Sequence, residues 1–486
     1  MSQTGKPRAI VLGAGVAGLR AALHLLERGY DVEVLEKLDE VGGMARSHRV
    51  GDFVFDHGPH GFFAREDWLI QEFKELVGGE DGYFWLTKWS QIHYRDEYFN
   101  YPLKLRDIAS KMDRFLLLRA LCSYLWSRLR VKVTRSQPAN AEEHLIDEFG
   151  RVLYDQFFGP YTRKVWAVDP KVLDADFTRD RVPSLHFWEV IRRIFTDPIK
   201  DQARARLTPS GRVVLHDLHA FFYPRRGAEA LPQGYAERIR HLGGRIRTRA
   251  RITRVDLESR VVQGTDGPTA FTLPYDGIIS TIPMEALVSS LFPAPPPEIR
   301  ALAVRLRYRA ILLVNLCVNR AQVIGPFWIY YTTQFFNRVS EYRHFSPDLA
   351  PTGKTGICCE VGCDVGDDLW KADDAEIVRR CVGDLEDLGL LRAEEVENHL
   401  VIREASAYPL YDVGYRDRVN GLVRWLEHEA HVMTAGRQGR FLYVNQDAAI
   451  ISGREAAEAV DRLVATGVIE DRAVWKSREA RRKIVT

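Results

Sequence analysis

The stretch Ala9–Ser47, AIVLGAGVAGLRAALHLLERGYDVEVLEKLDEVGGMARS, decides the fold. Ala9 to Leu12 is a short apolar strand. Gly13, Gly15 and Gly18 follow it at G-x-G-x-x-G spacing and open a helix. Gly13 permits the tight turn, Gly15 lets a pyrophosphate approach the backbone, and Gly18 lets helix and strand pack closely. The N–H groups and the positive dipole at the helix start attract phosphate. Glu36 ends the next strand, about 20 residues on, where an acid holds a ribose hydroxyl pair. A glycine turn alone is weak evidence; strand, helix and acid in order specify a dinucleotide site, with Lys37 beside the acid.

Outward from this stretch, the chain has 486 residues, 46% of them hydrophobic and 28% charged, a length that suggests two or three domains. A net charge of +2 gives no electrostatic case for nucleic acid. Six cysteines (Cys122, Cys317, Cys358, Cys359, Cys363, Cys381) lack C-x-x-C spacing, so buried reduced thiols are expected and no metal site. No apolar leader precedes the first strand, which gives the expectation of a cytoplasmic protein. No apolar run reaches the roughly 18 residues of a membrane span. Phe115–Leu129, FLLLRALCSYLWSRL, comes nearest, broken by Arg119 and Arg128. It reads either as a helix resting on a membrane surface or as a packed helix of the second domain, and base rates favour packing. A second basic stretch, Arg472–Lys483, reads as a solvated helix or tail.

Strand-like segments recur far downstream. Gly243-Gly244 opens an alternating run, RIRTRARITRVDLE, and Gly277–Thr281 is an apolar strand ending in small residues, as at the carboxyl end of a parallel strand. The expected architecture is α/β: a discontinuous Rossmann-like domain from 1–80, 215–290 and 395–470, an α+β substrate domain (a mixed sheet plus a helical subdomain) from 81–214 and 291–394, and a basic tail, 471–486. Of the substrate segments, 81–214 is helical in pattern and 291–394 richer in strand, as at Ala310–Val318 and Phe327–Tyr331. Near the carboxyl end, Gly436-Arg437-Gln438-Gly439 leads through Asn445-Gln446-Asp447 into a helix, Ala448–Ala465.

Gly42-Gly43-Met44-Ala45-Arg46 resembles the second glycine pair and arginine of FAD-dependent oxidoreductases related to amine oxidases and protoporphyrinogen oxidase. That resemblance implies FAD, with Gly43 and Arg46 at its pyrophosphate, Ile252 near the adenine, and Gly436, Asn445, Gln446 and Asp447 at the flavin end. Further positions resemble UDP-galactopyranose mutases. They are His60 after Gly58; Pro160-Tyr161-Thr162-Arg163-Lys164-Val165-Trp166-Ala167; Arg181-Val182; Phe222–Gly227; Trp328-Ile329-Tyr330 followed by Arg338; Tyr408-Pro409; and Tyr443. The resemblance implies that Arg181 and Arg338 clamp a sugar-nucleotide pyrophosphate by charge-assisted bonds, with Tyr330, Tyr408 and Tyr443 donating hydroxyls to it. It implies that His60 lies against the flavin, and that Tyr101 and Trp166 contact the nucleotide.

The implied reaction is a pyranose–furanose contraction of a nucleotide sugar, in which N5 of the reduced flavin attacks the anomeric carbon. His60, Arg181 and Arg338 are then the catalytic set. NAD(P)H or another reductant would bind transiently. The sequence departs from the family at Pro59, at Thr162, and at Leu103-Lys104 after Tyr101-Pro102, which leaves the base unassigned. An oxidase or desaturase of the protoporphyrinogen oxidase, phytoene desaturase or amine oxidase type shares the amino-terminal motif and stays open, as does a scaffold that holds FAD without chemistry.

Overall fold

The computed structural model describes residues 5–101, 110–179, 220–469 and 472. Arg181, Pro102–Lys104 and the tail past Arg472 lie outside the described residues. A five-stranded parallel sheet is built from chain segments far apart in sequence. Its order is Val432–Thr434, Gly277–Ser280, Arg8–Leu12, Asp31–Leu35, Arg245–Arg247. The Ile, Val and Leu side chains of the central strands are buried on both faces, the burial expected where helices cover a parallel sheet. The helices Val16–Glu27, Ala230–His241 and Gln446–Thr466 close one face. Two of them cross tightly: a Cβ on Gly453 would stand 2.1 Å from the Ala17 carbonyl oxygen. Glu33, almost wholly buried, accepts hydrogen bonds from Arg8, Arg245 and Arg247 and ties three strands together.

The run from Arg245 to Asp256, read as one alternating segment, divides in two. Arg245–Arg247 joins the parallel sheet and Ala250–Asp256 joins a four-stranded sheet with Val261–Asp266, Thr269–Pro274 and Leu291–Phe292. The break falls at Arg249, whose φ of +54° turns the chain out of one sheet and into the other.

The third sheet has seven strands in the order Val396–Pro409, Tyr308–Val318, Thr355–Cys363, Arg338–Glu341, Trp328–Tyr331, Ser90–Tyr94, Glu97–Tyr101. The last two, with Tyr83–Thr87, correct the helical reading of the start of 81–214. Their aromatic residues favour a pleated surface. Ser90–Tyr94 pairs in parallel with Trp328–Tyr331, a neighbour more than 200 residues away that local pattern cannot show. Residue parity then sets the sheet's two faces. Ile329, Tyr331, Val339, Cys359 and Val361 face a core under the helix Asp374–Asp387, while Trp328, Tyr330, Arg338, Cys358 and Glu360 face the other way.

Two further expectations are overturned and a third holds in part. The helix Arg114–Thr134 packs through one face on the helix Ala141–Phe149, burying Ala120 and Ser127, but Phe115, Leu118, Leu125, Trp126, Leu129 and Val133 stand in solvent. Cys122, on that helix, is exposed; the other five cysteines are buried thiols. Arg472 is no solvated tail residue: its side chain is 8% exposed and pairs with buried Glu427 at 3.1 Å. No described helix is long and apolar enough to cross a membrane.

Candidate functional site

The two glycine turns of the amino-terminal stretch meet. Gly42 N–H donates to the Ala14 carbonyl at 2.8 Å, and Gly15 and Gly42 form an isolated parallel bridge. Gly18 has no room for a side chain, since a Cβ there would lie 2.0 Å from the Gly13 carbonyl oxygen. A Cβ on Gly15 would find its nearest atom, the Gly43 Cα, at 4.0 Å, so the mouth of the turn is open. That combination, a closed floor and an open mouth at a helix start, fits a pyrophosphate. Glu36 is buried; its carboxylate accepts from Ala14 N–H at 2.8 Å and Leu38 N–H at 3.0 Å, which fixes it beside the first glycine turn. Lys37 lines a shallow depression of about 380 Å³ with Arg249 and Arg251, and half-buried Ile252 follows on the same strand.

Arg46 is held by its own turn. Its Nε donates to the Gly43 carbonyl at 2.7 Å and its Nη2 to His57 Nδ1 at 3.3 Å. Arginine only donates, so the ring proton of His57 lies on Nε2, which donates to Glu404 at 3.1 Å. His48 also reaches His57 Nδ1, at 3.0 Å; burial, then His57 and Arg46, press its pKa down to about 4. Burial pushes Glu404 up, but His57, the Ser406 N–H and the charge of Arg46 together outweigh it and leave the carboxyl below its usual range.

At the opposite end, Gly436 adopts φ +78° against Ala17, and Gly439 packs on the Ser280 carbonyl. These contacts seat the start of Gln446–Thr466 beside the nucleotide helix. The Asn445 side chain makes no capping bond to that helix and is exposed. Gln446 and Asp447 form its first turn. Arg437 donates to the Val444 and Ala407 carbonyls, and its guanidinium lies 5.8 Å from the Tyr408 ring and 5.1 Å from the Tyr443 ring.

The cleft beyond is floored by the polar face of the seven-stranded sheet. Tyr330, Arg338 and Glu360 are direct cross-strand neighbours in one row. Arg338 lies 5.8 Å from the Tyr330 ring and donates from Nε to Glu360 at 2.5 Å. Burial works against its charge, yet Glu360 and the surrounding phenols hold its pKa well above the ordinary value. Tyr408 and Tyr443 stand 4.8 Å apart, and Trp166 lies 5.9 and 6.2 Å from them. Trp166 ends the helix Gly159–Trp166, which Lys164 anchors by donating to the Tyr331 and Phe336 carbonyls. Tyr101 and Tyr161 meet the Tyr330 ring edge-on at 6.1 and 6.4 Å.

His60 donates from Nδ1 to the Gly58 carbonyl at 2.5 Å. Burial, then Arg437, lower its pKa to about 3, so the ring is neutral and Nε2 keeps a lone pair. The charges of His57 and Arg338 add to that lowering.

The structure thus brings His60, Tyr101, Trp166, Tyr330, Arg338, Tyr408 and Tyr443 to one cleft. Sequence reasoning missed two cleft residues, Glu360 and Lys88, and gave Arg437 and Tyr161 no role although both stand in the motifs it singled out. Glu360 had a signal, as the lone charge in the strand TGICCEVGC. Lys88 had none. It lies 5.3 Å from the Trp328 ring and 5.6 Å from Tyr101, and burial, then Arg338, lower its pKa to about 8.

Comparison with known proteins identifies the family and the fold. Residues 16–461 match the family of flavin containing amine oxidoreductases. A 1-hydroxycarotenoid 3,4-desaturase of Flavobacterium is 26% identical over 272 residues, 53% of this chain and 53% of its own. The Klebsiella pneumoniae protein named "Probable UDP-galactopyranose mutase" is 26% identical over 183 residues, 36% of this chain and 44% of its own. The chain therefore spans about half the length of the curated relatives it matches. The fold is that of a reduced UDP-galactopyranose mutase crystal structure, with a TM-score of 0.81, 22% identity and 98% of both chains covered. Cyclohexylamine oxidase from Brevibacterium oxydans superposes with a TM-score of 0.65 at 14% identity, over 95% of this chain and all of its own. With a matched region running from the first nucleotide helix almost to the end of the last, the chain belongs to the flavin containing amine oxidoreductase family and uses FAD.

Proposed function

We propose that the protein is a nucleotide-sugar mutase that interconverts pyranose and furanose forms. The observation that carries this reading is the row Tyr330–Arg338–Glu360 facing Tyr408, Tyr443 and Trp166 in one cleft. An arginine ringed by phenol donors suits an anionic leaving group, whereas an apolar substrate gains nothing from a buried guanidinium. Glu360 holds that guanidinium in place and offsets part of its charge, so the diphosphate is gripped but releasable. Reduced FAD, when bound, supplies an electron-rich ring nitrogen as nucleophile for the anomeric carbon. Gly13, Gly15, Gly43 and Arg46 would hold its pyrophosphate, and Glu36 its ribose. Arg437 and the start of Gln446–Thr466 favour negative charge at the flavin end.

The chain's own residues do the rest. Tyr330, Tyr408 and Tyr443 donate to the departing diphosphate, Trp166 and Tyr101 wall the nucleotide side, and neutral His60 presents Nε2 as an acceptor. Arg181, outside the described residues, is the second arginine of the proposed clamp.

The test is anaerobic. The dithionite-reduced holoprotein is incubated with UDP-galactopyranose and other nucleotide sugars, and ring forms are separated by chromatography. Interconversion that stops on reoxidation supports the mutase. Oxygen consumption with a product two electrons more oxidised overturns it and supports an oxidase or desaturase, the reading favoured by the carotenoid desaturase likeness. Arg338→Ala is expected to lose about 2–5 kcal/mol of substrate or transition-state binding; near-normal turnover removes Arg338 from the clamp.

A further inference from the structure

The helix Arg114–Thr134 is apolar on its inward face and carries a second apolar stripe outward. Phe115, Leu118, Cys122, Leu125, Trp126, Leu129 and Val133 recur at helical spacing along one face, and all are exposed. Phe115, Trp126 and Val133 show 68%, 69% and 73% of their surface to solvent. The opposite face is fixed to the body of the protein. Val152 N–H donates to Ser123 Oγ at 3.2 Å, Arg128 pairs with Glu148 at 3.1 Å, and Arg130 pairs with Asp147. Gly150 crosses so closely that a Cβ would lie 2.7 Å from the Tyr124 nitrogen. The apolar stripe is therefore presented by a helix that cannot roll it inward.

Charge identifies the occupant. From Arg114 to Arg135 the chain carries Arg114, Arg119, Arg128, Arg130, Lys132 and Arg135 and no acidic residue. Arg128 and Arg130 pair inward. Arg114, Arg119, Lys132 and Arg135 are exposed and, among the described residues, pair with no carboxylate. A large apolar stripe with a tryptophan, flanked by cations apart from Asp113 at the helix start, has the chemistry of a helix lying in the headgroup layer of an anionic bilayer. An uncharged partner explains the stripe but not the one-sided charge. We infer that this helix docks the protein on anionic lipid, as a peripheral contact made without a spanning segment.

The measurement is flotation of the FAD-loaded full chain with vesicles of phosphatidylcholine containing 30% phosphatidylglycerol, and with pure phosphatidylcholine. Binding is expected only with the anionic vesicles, falling at least tenfold on raising salt from about 0.05 to 0.5 M. The variant F115S/W126S/L129S should lose that binding while retaining FAD absorbance, since all three side chains are already in water. A second readout leaves these residues native. A solvatochromic label on Cys122, the exposed cysteine of the six, should shift to the blue with anionic vesicles alone. No flotation and no shift overturn the inference. So does flotation equal in both vesicle types, or a dimer in light scattering that the triple variant dissolves while lipid binding is absent.

Discussion

Two glycines of the first turn predict opposite phenotypes, and the contrast tests the cofactor cradle. In Gly18→Ala the new methyl would lie 2.0 Å from the Gly13 carbonyl oxygen and 3.2 Å from its carbon, both backbone atoms that cannot rotate away. An ordinary contact needs roughly 3.5 Å, so the helix Val16–Glu27 must retreat by ~1.5 Å from the strand that seats it. Overpacking of this kind costs about 1–3 kcal/mol, a fall of roughly 1–3 °C in Tm for a chain of this length. That loss should appear in the apoprotein. In Gly15→Ala the methyl meets nothing closer than the Gly43 Cα at 4.0 Å, and the residue's φ of −72° suits alanine. Apoprotein stability should hold within about 0.5 kcal/mol. The methyl instead occupies the pyrophosphate's line of approach, and FAD affinity should fall 10- to 100-fold, or about 1.4–2.8 kcal/mol. Differential scanning fluorimetry of the apoprotein and quenching of FAD fluorescence read the two effects separately. An unchanged Kd for Gly15→Ala refutes the cradle; an unchanged apoprotein Tm for Gly18→Ala refutes the packing argument.

Glu36→Ala leaves the Ala14 and Leu38 N–H groups without their acceptor; it should cost about 1–3 kcal/mol in urea unfolding and weaken FAD as well. Asp56, fully buried, has its pKa raised to about 6 by burial, against hydrogen bonds from Tyr223, Ala228 and Ser47. The native state then binds more protons than the unfolded chain between about pH 4 and 6, so stability falls as pH rises through that window, by about 3 kcal/mol in all. Asp56→Asn should flatten this slope in urea titrations at pH 4, 5 and 6; an unaltered slope removes Asp56 as its source. Lys88 loses its charge on crossing pH 8, so UDP binding measured by calorimetry should weaken from pH 7 to pH 9 in the parent and stay level in Lys88→Arg.

The nucleotide-binding half was legible because its information is local: each glycine, the acid and the dipole end lie within one short stretch. The cleft was legible only residue by residue. Tyr330 and Arg338 come together because a hairpin pairs them directly, which strand alternation suggests, but Glu360 arrives from a third strand whose register no local pattern sets. Tyr83–Tyr101 was misread because its strands take their partners from 220–224 and 328–331. The helix Arg114–Thr134 is apolar on both faces, so periodicity could not say which one packs: Ala120 and Ser127 are buried with Leu116, Leu117 and Tyr124 half-buried beside them, while Phe115, Trp126 and Val133 face solvent.

The strand order of the parallel sheet has a consequence for how the protein is made. Arg8–Leu12 takes one neighbour within the next thirty residues, but the other is Gly277–Ser280, itself flanked by Val432–Thr434. At about 5–20 residues per second of synthesis, the first strand waits roughly 10–60 s for its second partner. The turn that seats the flavin end is made later still. On the proposed cofactor site, capture of FAD is a closing event of biogenesis, and a nascent chain halted before Gly436 holds the first glycine turn without the turn that packs on Ala17.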